Sequence, residues 1–240
     1  MKNEILRRLS ALALGLALLL NAAPLPQAFA VEDDTDASSS DSADSTDTTD
    51  KTVVTTADSD PTVTAAAANA PALDATAALL VSPESDMVLY EKNADEKRYP
   101  ASTTKIMTAL LTLENVSDLS AVVTAEASDF ENVTADSSNA GIKLGEQVTV
   151  KDLLYALMLP SANEAAYMLA RHVSGSWEQF VDMMNERAAE LGCTGTHFCN
   201  PCGLHEDDHY TTAHDLYRIA KQAMKDATFR DIVSTVQHRM

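Results

Sequence analysis

A mixed α/β (α+β) fold, with an antiparallel sheet joined to a helical subdomain, is what the last 168 residues of this chain predict. Three observations carry that expectation. Two short β-prone runs, residues 76–81 and 87–90, flank the turn-rich break 82–86, which is the pattern of a β-hairpin. From Val150 onward apolar residues recur at helical spacing through several segments. Finally, Ile232-Val233-Ser234-Thr235-Val236 is rich in β-branched residues and reads as the beginning of a further strand. The sheet is therefore expected to be incomplete at the C-terminus.

The first 72 residues are not part of that fold. Lys2, Arg7 and Arg8 precede an apolar stretch over 9–20, and Ala28-Phe29-Ala30 places small residues at cleavage spacing. Residues 1–30 thus read as a secretory signal peptide, with Val31 the first mature residue. An uncleaved membrane anchor is the competing reading, but the apolar core is shorter than the roughly 20 residues a spanning helix needs. Residues 31–72 hold ten acids against Lys51 alone, a net of −9, and no aromatic residue. Such a stretch cannot bury enough apolar surface to offset its ordering entropy, so it reads as a disordered, self-repelling linker. The whole chain carries −19, and residues 73–240 still carry −12. Nucleic acid is excluded as a partner, because phosphate binding needs clustered Lys and Arg.

In the folded part, a polar stretch over 91–99 follows the hairpin. Pro100-Ala101-Ser102-Thr103-Thr104-Lys105 then opens the run Ile106-Met107-Thr108-Ala109-Leu110-Leu111-Thr112-Leu113. Proline suits a helix start, where the first N–H groups lack intrahelical partners. The run is apolar on nearly every side, which predicts a helix buried all round. Residues 117–150 mix Val-rich runs with Asp, Asn and Gly, predicting loops and small strands, with 141–150 as a small hairpin. Leu153, Leu154, Leu157 and Met158 predict a helix from Val150 that Pro160 stops. Further helices are expected after Pro160, over 176–191 and over 212–224, with a loop-rich segment at 192–210.

Ser102 and Lys105 lie three residues apart, on one face and about one turn removed. Ser-x-x-Lys alone occurs often by chance; the buried helix behind it sets this one apart. A serine hydroxyl is a poor nucleophile without a neighbouring base. Lysine can serve as that base when burial, a nearby cation or the positive end of a helix depresses its pKa. The helix N-terminus also points backbone N–H groups toward an oxyanion on an attacked carbonyl. A second constellation is Pro160-Ser161-Ala162-Asn163-Glu164, between two helices. Ser161 with Glu164 three residues on reads as a capping box. Ser161 and Asn163 also project from a tight turn, where one can relay a proton and the other hydrogen-bond an amide.

Taken together, these residues resemble the serine penicillin-recognising enzymes, whose marks are Ser-x-x-Lys, Ser-x-Asn and Lys-Thr-Gly. Three longer stretches narrow the resemblance. Leu89-Tyr90-Glu91-Lys92-Asn93-Ala94-Asp95-Glu96, the segment 153–166 around Ser161, and Thr196-His197-Phe198-Cys199-Asn200-Pro201-Cys202-Gly203-Leu204 are similar to low-molecular-mass D-alanyl-D-alanine carboxypeptidases. The likeness spans about residues 74–236. It implies a β-lactamase/DD-peptidase-like fold and an acyl-serine mechanism without a cofactor. Ser102 would attack the penultimate D-alanine carbonyl of a peptidoglycan stem peptide, and Lys105 would take its proton. Ser161 would pass a proton to the departing D-alanine, while Asn163 would bind the substrate amide and orient Lys105. β-Lactams would acylate the same serine. A serine β-lactamase and a non-catalytic wall-binding module are the alternatives.

One departure stands out. No Lys-Thr-Gly occurs; the only Lys-Thr is Lys51-Thr52, inside the acidic linker. In the family that motif binds the terminal carboxylate from a strand that would lie beyond residue 240. The expectation is that 73–240 is the N-terminal part of a catalytic domain, with little or no activity as written. The implied location is extracytoplasmic, in the cell wall or periplasm, with membrane association only through the leader or a missing C-terminal segment. Cys193, Cys199 and Cys202, with His197, His205, His209 and His214, invite a zinc reading, but a second ligand pair at standard spacing is not evident. In an exported chain a disulfide or three unpaired thiols is favoured over a metal.

Overall fold

The computed structural model describes residues 73–134 and 136–239, so the expected leader and acidic linker lie outside the described residues. Strands β1 (Ala78–Val81) and β2 (Val88–Lys92) form the expected antiparallel hairpin. The register pairs Ala78 with Lys92 and Leu80 with Tyr90, and it shifts between Leu80 and Val81. Leu79 and Val81 are buried with Ala94 against Ala213 and Tyr217, whereas Leu80 is exposed.

A 3-10 turn, Ala101–Thr104, leads into helix α1 (Lys105–Asn115). Every residue from Lys105 to Thr112 is buried, as an all-round apolar helix requires. The cause is its central position: α1 packs against all five of the other α-helices among the described residues. These are α2 (Val150–Met158), α3 (Asn163–Ser174), α4 (Trp177–Glu190), α5 (Ala213–Ala223) and α6 (Ala227–Ser234). Side-chain caps start four of them. Thr149, Ser176, Thr212 and Asp226 each accept a hydrogen bond from a backbone N–H three residues on, satisfying one of the donors a helix start leaves open.

Two expected elements differ. Residues 141–150 do not fold on themselves. Only β4 (Gln147–Thr149) is a strand, and it pairs with β3 (Val122–Thr124). The reason is a pair of backbone bonds that extend this ladder: Ala125 N–H donates to the Glu146 carbonyl and Gly145 N–H to the Ala125 carbonyl. Arg171 on α3 holds the same region, with its guanidinium spread over the Asp129 carboxylate, Glu126 and the Thr124 carbonyl.

The β-branched run at 232–236 does not begin a strand either. Ile232–Ser234 completes α6, and extended backbone returns only at Thr235. Asp226 caps that helix, and Phe229 and Ile232, three residues apart, are both buried in the core. Capping and helical-period burial outweigh the modest β preference of Ile and Val. No helix among the described residues is long and apolar enough to cross a membrane.

Candidate active site

Ser102 is exposed, and Lys105 is only 2% exposed although the two are adjacent in space. The 3-10 turn explains their approach. Side chains at i and i+3 eclipse one another in this tighter helix, and Lys105 N–H bonds the Ser102 carbonyl. The result is a Lys105 Nζ to Ser102 Oγ distance of 3.3 Å. Ala101, just before the serine, has φ 48°, a left-handed conformation uncommon for a residue with a Cβ.

Lys105 has two further partners, each from a different part of the chain. Nζ donates to Asn163 Oδ1 at 2.8 Å and to the Cys202 carbonyl at 2.7 Å. Both are acceptors only, so they take two N–H bonds whatever the charge of the amine. In the neutral amine the remaining position is a lone pair, and the remaining partner is Ser102 Oγ. The arrangement therefore directs the basic electron pair at the serine hydroxyl. Burial also lowers the Lys105 pKa to about 8, partly opposed by Cys202 and Glu164. An amine with that pKa is partly neutral near pH 7–8, as a general base must be.

The structure thus brings Ser102, Lys105 and Asn163 together. Ser161 lies two residues before Asn163, at φ 61°, and its hydroxyl is buried without a hydrogen-bond partner among the described residues. The expected capping box does not form. Ala162 occupies the N-cap position with no side-chain cap, and Glu164 accepts from Ala140 N–H at 2.7 Å instead. The neighbouring loop replaces the cap, because Asn163 N–H bonds the Ser138 carbonyl. Ser161 is left with a hydroxyl that no local structure uses.

The segment 199–203, part of the 196–204 stretch that resembles the carboxypeptidases, forms one wall of the site through the Cys202 carbonyl. Thr108 Oγ1 donates to the Pro201 carbonyl at 2.6 Å, one turn along α1 from the Lys105–Cys202 bond. Asn200 Oδ1 accepts from the N–H groups of Cys202 and Gly203, which shapes the turn. His209, 1% exposed, accepts from Cys199 N–H through Nδ1. Its proton is then on Nε2, which donates to Thr104 Oγ1 at 2.8 Å. Burial pushes its pKa down to about 4, so the ring is neutral at ordinary pH. Main-chain carbonyls and a threonine hydroxyl carry no periodic or charge pattern, so no signal in the sequence marked these contacts.

The three cysteines are free thiols. Burial raises the pKa of Cys193 to about 11 and that of Cys202 upward, which disfavours the reactive thiolate. Among the described residues, no group of three or more His, Cys, Asp or Glu side chains is gathered to hold a metal.

The family model described as D-alanyl-D-alanine carboxypeptidase (peptidase S11) matches residues 64–239. A Bacillus subtilis D-alanyl-D-alanine carboxypeptidase, DacF, is 36% identical over 165 residues, covering 68% of this chain and 42% of the relative. A carboxypeptidase from Streptomyces sp. strain K15 is 43% identical over 155 residues, covering 61% of this chain and 53% of the relative. The chain therefore spans about half the length of these curated relatives. The crystal structure of the Streptomyces K15 DD-transpeptidase superposes with a TM-score of 0.64 at 38% identity, covering 68% of this chain and 65% of that one. The described helices and small antiparallel sheets are thus the α/β fold of the DD-peptidases.

Proposed function

The chain belongs to the D-alanyl-D-alanine carboxypeptidase family, and on that premise we propose that it supplies the nucleophile side of a serine D-Ala-D-Ala carboxypeptidase site. The observation that carries this reading is Lys105, with two of its hydrogen-bonding positions taken by Asn163 and Cys202 and the third facing Ser102. Ser102 Oγ attacks the carbonyl of the penultimate D-alanine in a peptidoglycan stem peptide while the neutral Lys105 amine accepts its proton. Ser161, with its unengaged hydroxyl, passes a proton to the nitrogen of the departing D-alanine. Asn163 holds Lys105 and hydrogen-bonds the substrate amide. Water then attacks the acyl-serine and releases the shortened peptide. β-Lactams acylate Ser102 because they imitate the dipeptide. With the leader, the setting is extracytoplasmic, in the cell wall or periplasm.

A serine β-lactamase and a non-catalytic module are less favoured, given relatives named as carboxypeptidases. Lys-Thr-Gly, the motif expected to bind the substrate's terminal carboxylate, does not occur in the 240 residues. The test is labelling by a fluorescent penicillin followed by peptide mapping, on the 240-residue chain and on any longer form. Label on the peptide holding Ser102 in at least one form, lost in S102A, is expected, with the 240-residue chain labelling the more weakly. Absence of label in every form, or label surviving S102A, defeats the reading. Rapid turnover of penicillin would favour the β-lactamase.

A further inference from the structure

Glu164 follows Asn163, the residue that holds Lys105, in the first turn of α3. An acid in a first turn usually complements the helix dipole from the solvent, but Glu164 is only 2% exposed. One carboxylate oxygen, Oε1, accepts from Ala140 N–H at 2.7 Å, while Asn163 N–H donates to the Ser138 carbonyl at 2.9 Å. Two successive residues thus fasten the loop 138–140 to the start of α3. The other oxygen, Oε2, is buried with no hydrogen-bond partner among the described residues. Such an oxygen is costly, and neither water nor a donor screens its charge. That charge acts on Lys105. Cys202 and Glu164 are the two groups whose charges favour the ammonium form of the amine. Burial pushes the Cys202 thiol up, so it is uncharged at neutral pH. Burial likewise keeps Tyr167, one turn on along α3, and His209, bonded to Thr104, neutral. Glu164 is therefore the one anion bearing on Lys105 among the described residues.

We propose that Glu164 is a positioning residue of the acyl-serine reaction: it fixes Asn163 against the 138–140 loop, and its carboxylate stabilises the ammonium that Lys105 becomes. The inference rests on the functional reading above. When Ser102 Oγ bonds the carbonyl carbon, its proton passes to the lone pair of Lys105 Nζ and the carbonyl π pair moves onto oxygen. The amine is neutral before this step and cationic after it. A fixed, buried anion favours the later state, which is how a preorganised charge lowers a barrier. Asn163 Oδ1 and the Cys202 carbonyl orient the amine but carry no net charge, so they cannot take this part. Without Glu164, burial acts on Lys105 unopposed, and the amine becomes a weaker base.

The experiment is a pH titration of Lys105 by NMR of the full chain carrying 13C at lysine Cε, its resonance identified by its absence in K105M. Wild-type Lys105 should titrate near 8. E164Q keeps an oxygen for Ala140 and removes the charge, and should lower that midpoint by at least about one pH unit, the low end of what a neighbouring opposite charge exerts. E164D keeps the charge on a shorter arm and should titrate as wild type. A merely structural role moves the midpoint the other way, since a loosened site admits water to the amine and returns it toward 10.5. An unchanged or raised midpoint in E164Q therefore overturns the proposal, as does an E164D midpoint about one unit below that of wild type. If E164Q does not fold, E164D decides alone. In any form that a fluorescent penicillin labels, E164Q should also shift the labelling-rate profile to lower pH and cut its plateau roughly threefold, as a weaker base does. The NMR reading needs no turnover, so the two failures are separable. An unmoved midpoint with labelling intact defeats this inference alone, whereas a lowered midpoint with no label in any form defeats it through the functional reading it rests on.

Discussion

Gly203 lies against the backbone of Ala101 so closely that a Cβ on the glycine would stand 1.8 Å from the Ala101 carbonyl oxygen. Its φ of +90° is itself a conformation that side chains rarely adopt. Two left-handed backbone positions therefore meet at the turn that presents Ser102, and Ala101 is the one that carries a Cβ. Ordering at such turns persists only where the surroundings over-determine it, and here the 199–203 wall does so.

G203A should accordingly destabilise the protein by roughly 2–4 kcal/mol, through backbone strain and the displaced 3-10 turn. Urea unfolding measures this. A G203A variant within 0.5 kcal/mol of wild type (roughly the scatter of surface substitutions) would show that the close approach is not needed.

The buried Lys105 should leave a signature in alkali. Its folded pKa, about 8, lies below its usual 10.5. Below pH 8 the ammonium is charged in both states, and the folded state bears the full burial cost. Between about pH 8 and 10.5 the unfolded chain holds the proton and the folded one does not, so this group's contribution improves as pH rises. Relative to K105M, the wild type should gain up to about 3 kcal/mol across that window. A difference between the two proteins that stays flat from pH 7 to 10.5 would refute the assignment. In any form that acylates, the labelling rate should rise through pH 8 with the neutral amine.

His209 titrates in the opposite part of the scale. Burial lowers its pKa from 6.5 to about 4, with Glu206 opposing and His197 and His205 reinforcing the shift. As pH falls through that window, the unfolded chain takes up a proton that the folded one refuses, so stability is lost. Nothing is lost above pH 6.5. The wild type should therefore weaken by up to about 3 kcal/mol relative to H209Q between pH 6.5 and 4. Gln keeps a donor for Thr104 but does not titrate. Parallel pH curves for the two proteins would disprove the buried-imidazole account.

Arg171 should be the costliest surface-near residue to remove. Nε and Nη2 reach both oxygens of Asp129 at 2.9 and 2.8 Å, and that carboxylate is 1% exposed. R171M strips a buried charge of its partner, which typically costs 3–5 kcal/mol. Thermal unfolding of R171M beside D129N/R171M tests the cause: the double variant should recover part of the loss. If it is no better than the single one, the uncompensated charge is not responsible.

What one stretch of sequence holds by itself was legible. The hairpin 78–92, the helices from Val150 on and the all-round burial of 105–112 rest on periodicity and on punctuation by Pro, Gly and capping residues. These are local properties, and the chain needs no distant partner to express them. Ser102 and Lys105 belong to this class, because a single tight turn sets their approach.

Tertiary structure decided the rest. It assigned Gln147–Thr149 to β3 rather than to the residues just before it, and it kept 232–234 helical because Phe229 and Ile232 found the core. It cancelled the capping box at Ser161 by offering Asn163 N–H a carbonyl from residue 138. It gave Lys105 its two other partners from 58 and 97 residues away. One of these is a main-chain carbonyl, a group every residue carries and none advertises. Burial, which tunes Lys105 and His209, is likewise a property of the assembled surroundings. Sequence placed a lysine one turn from a serine; only packing could lower its pKa and aim its lone pair.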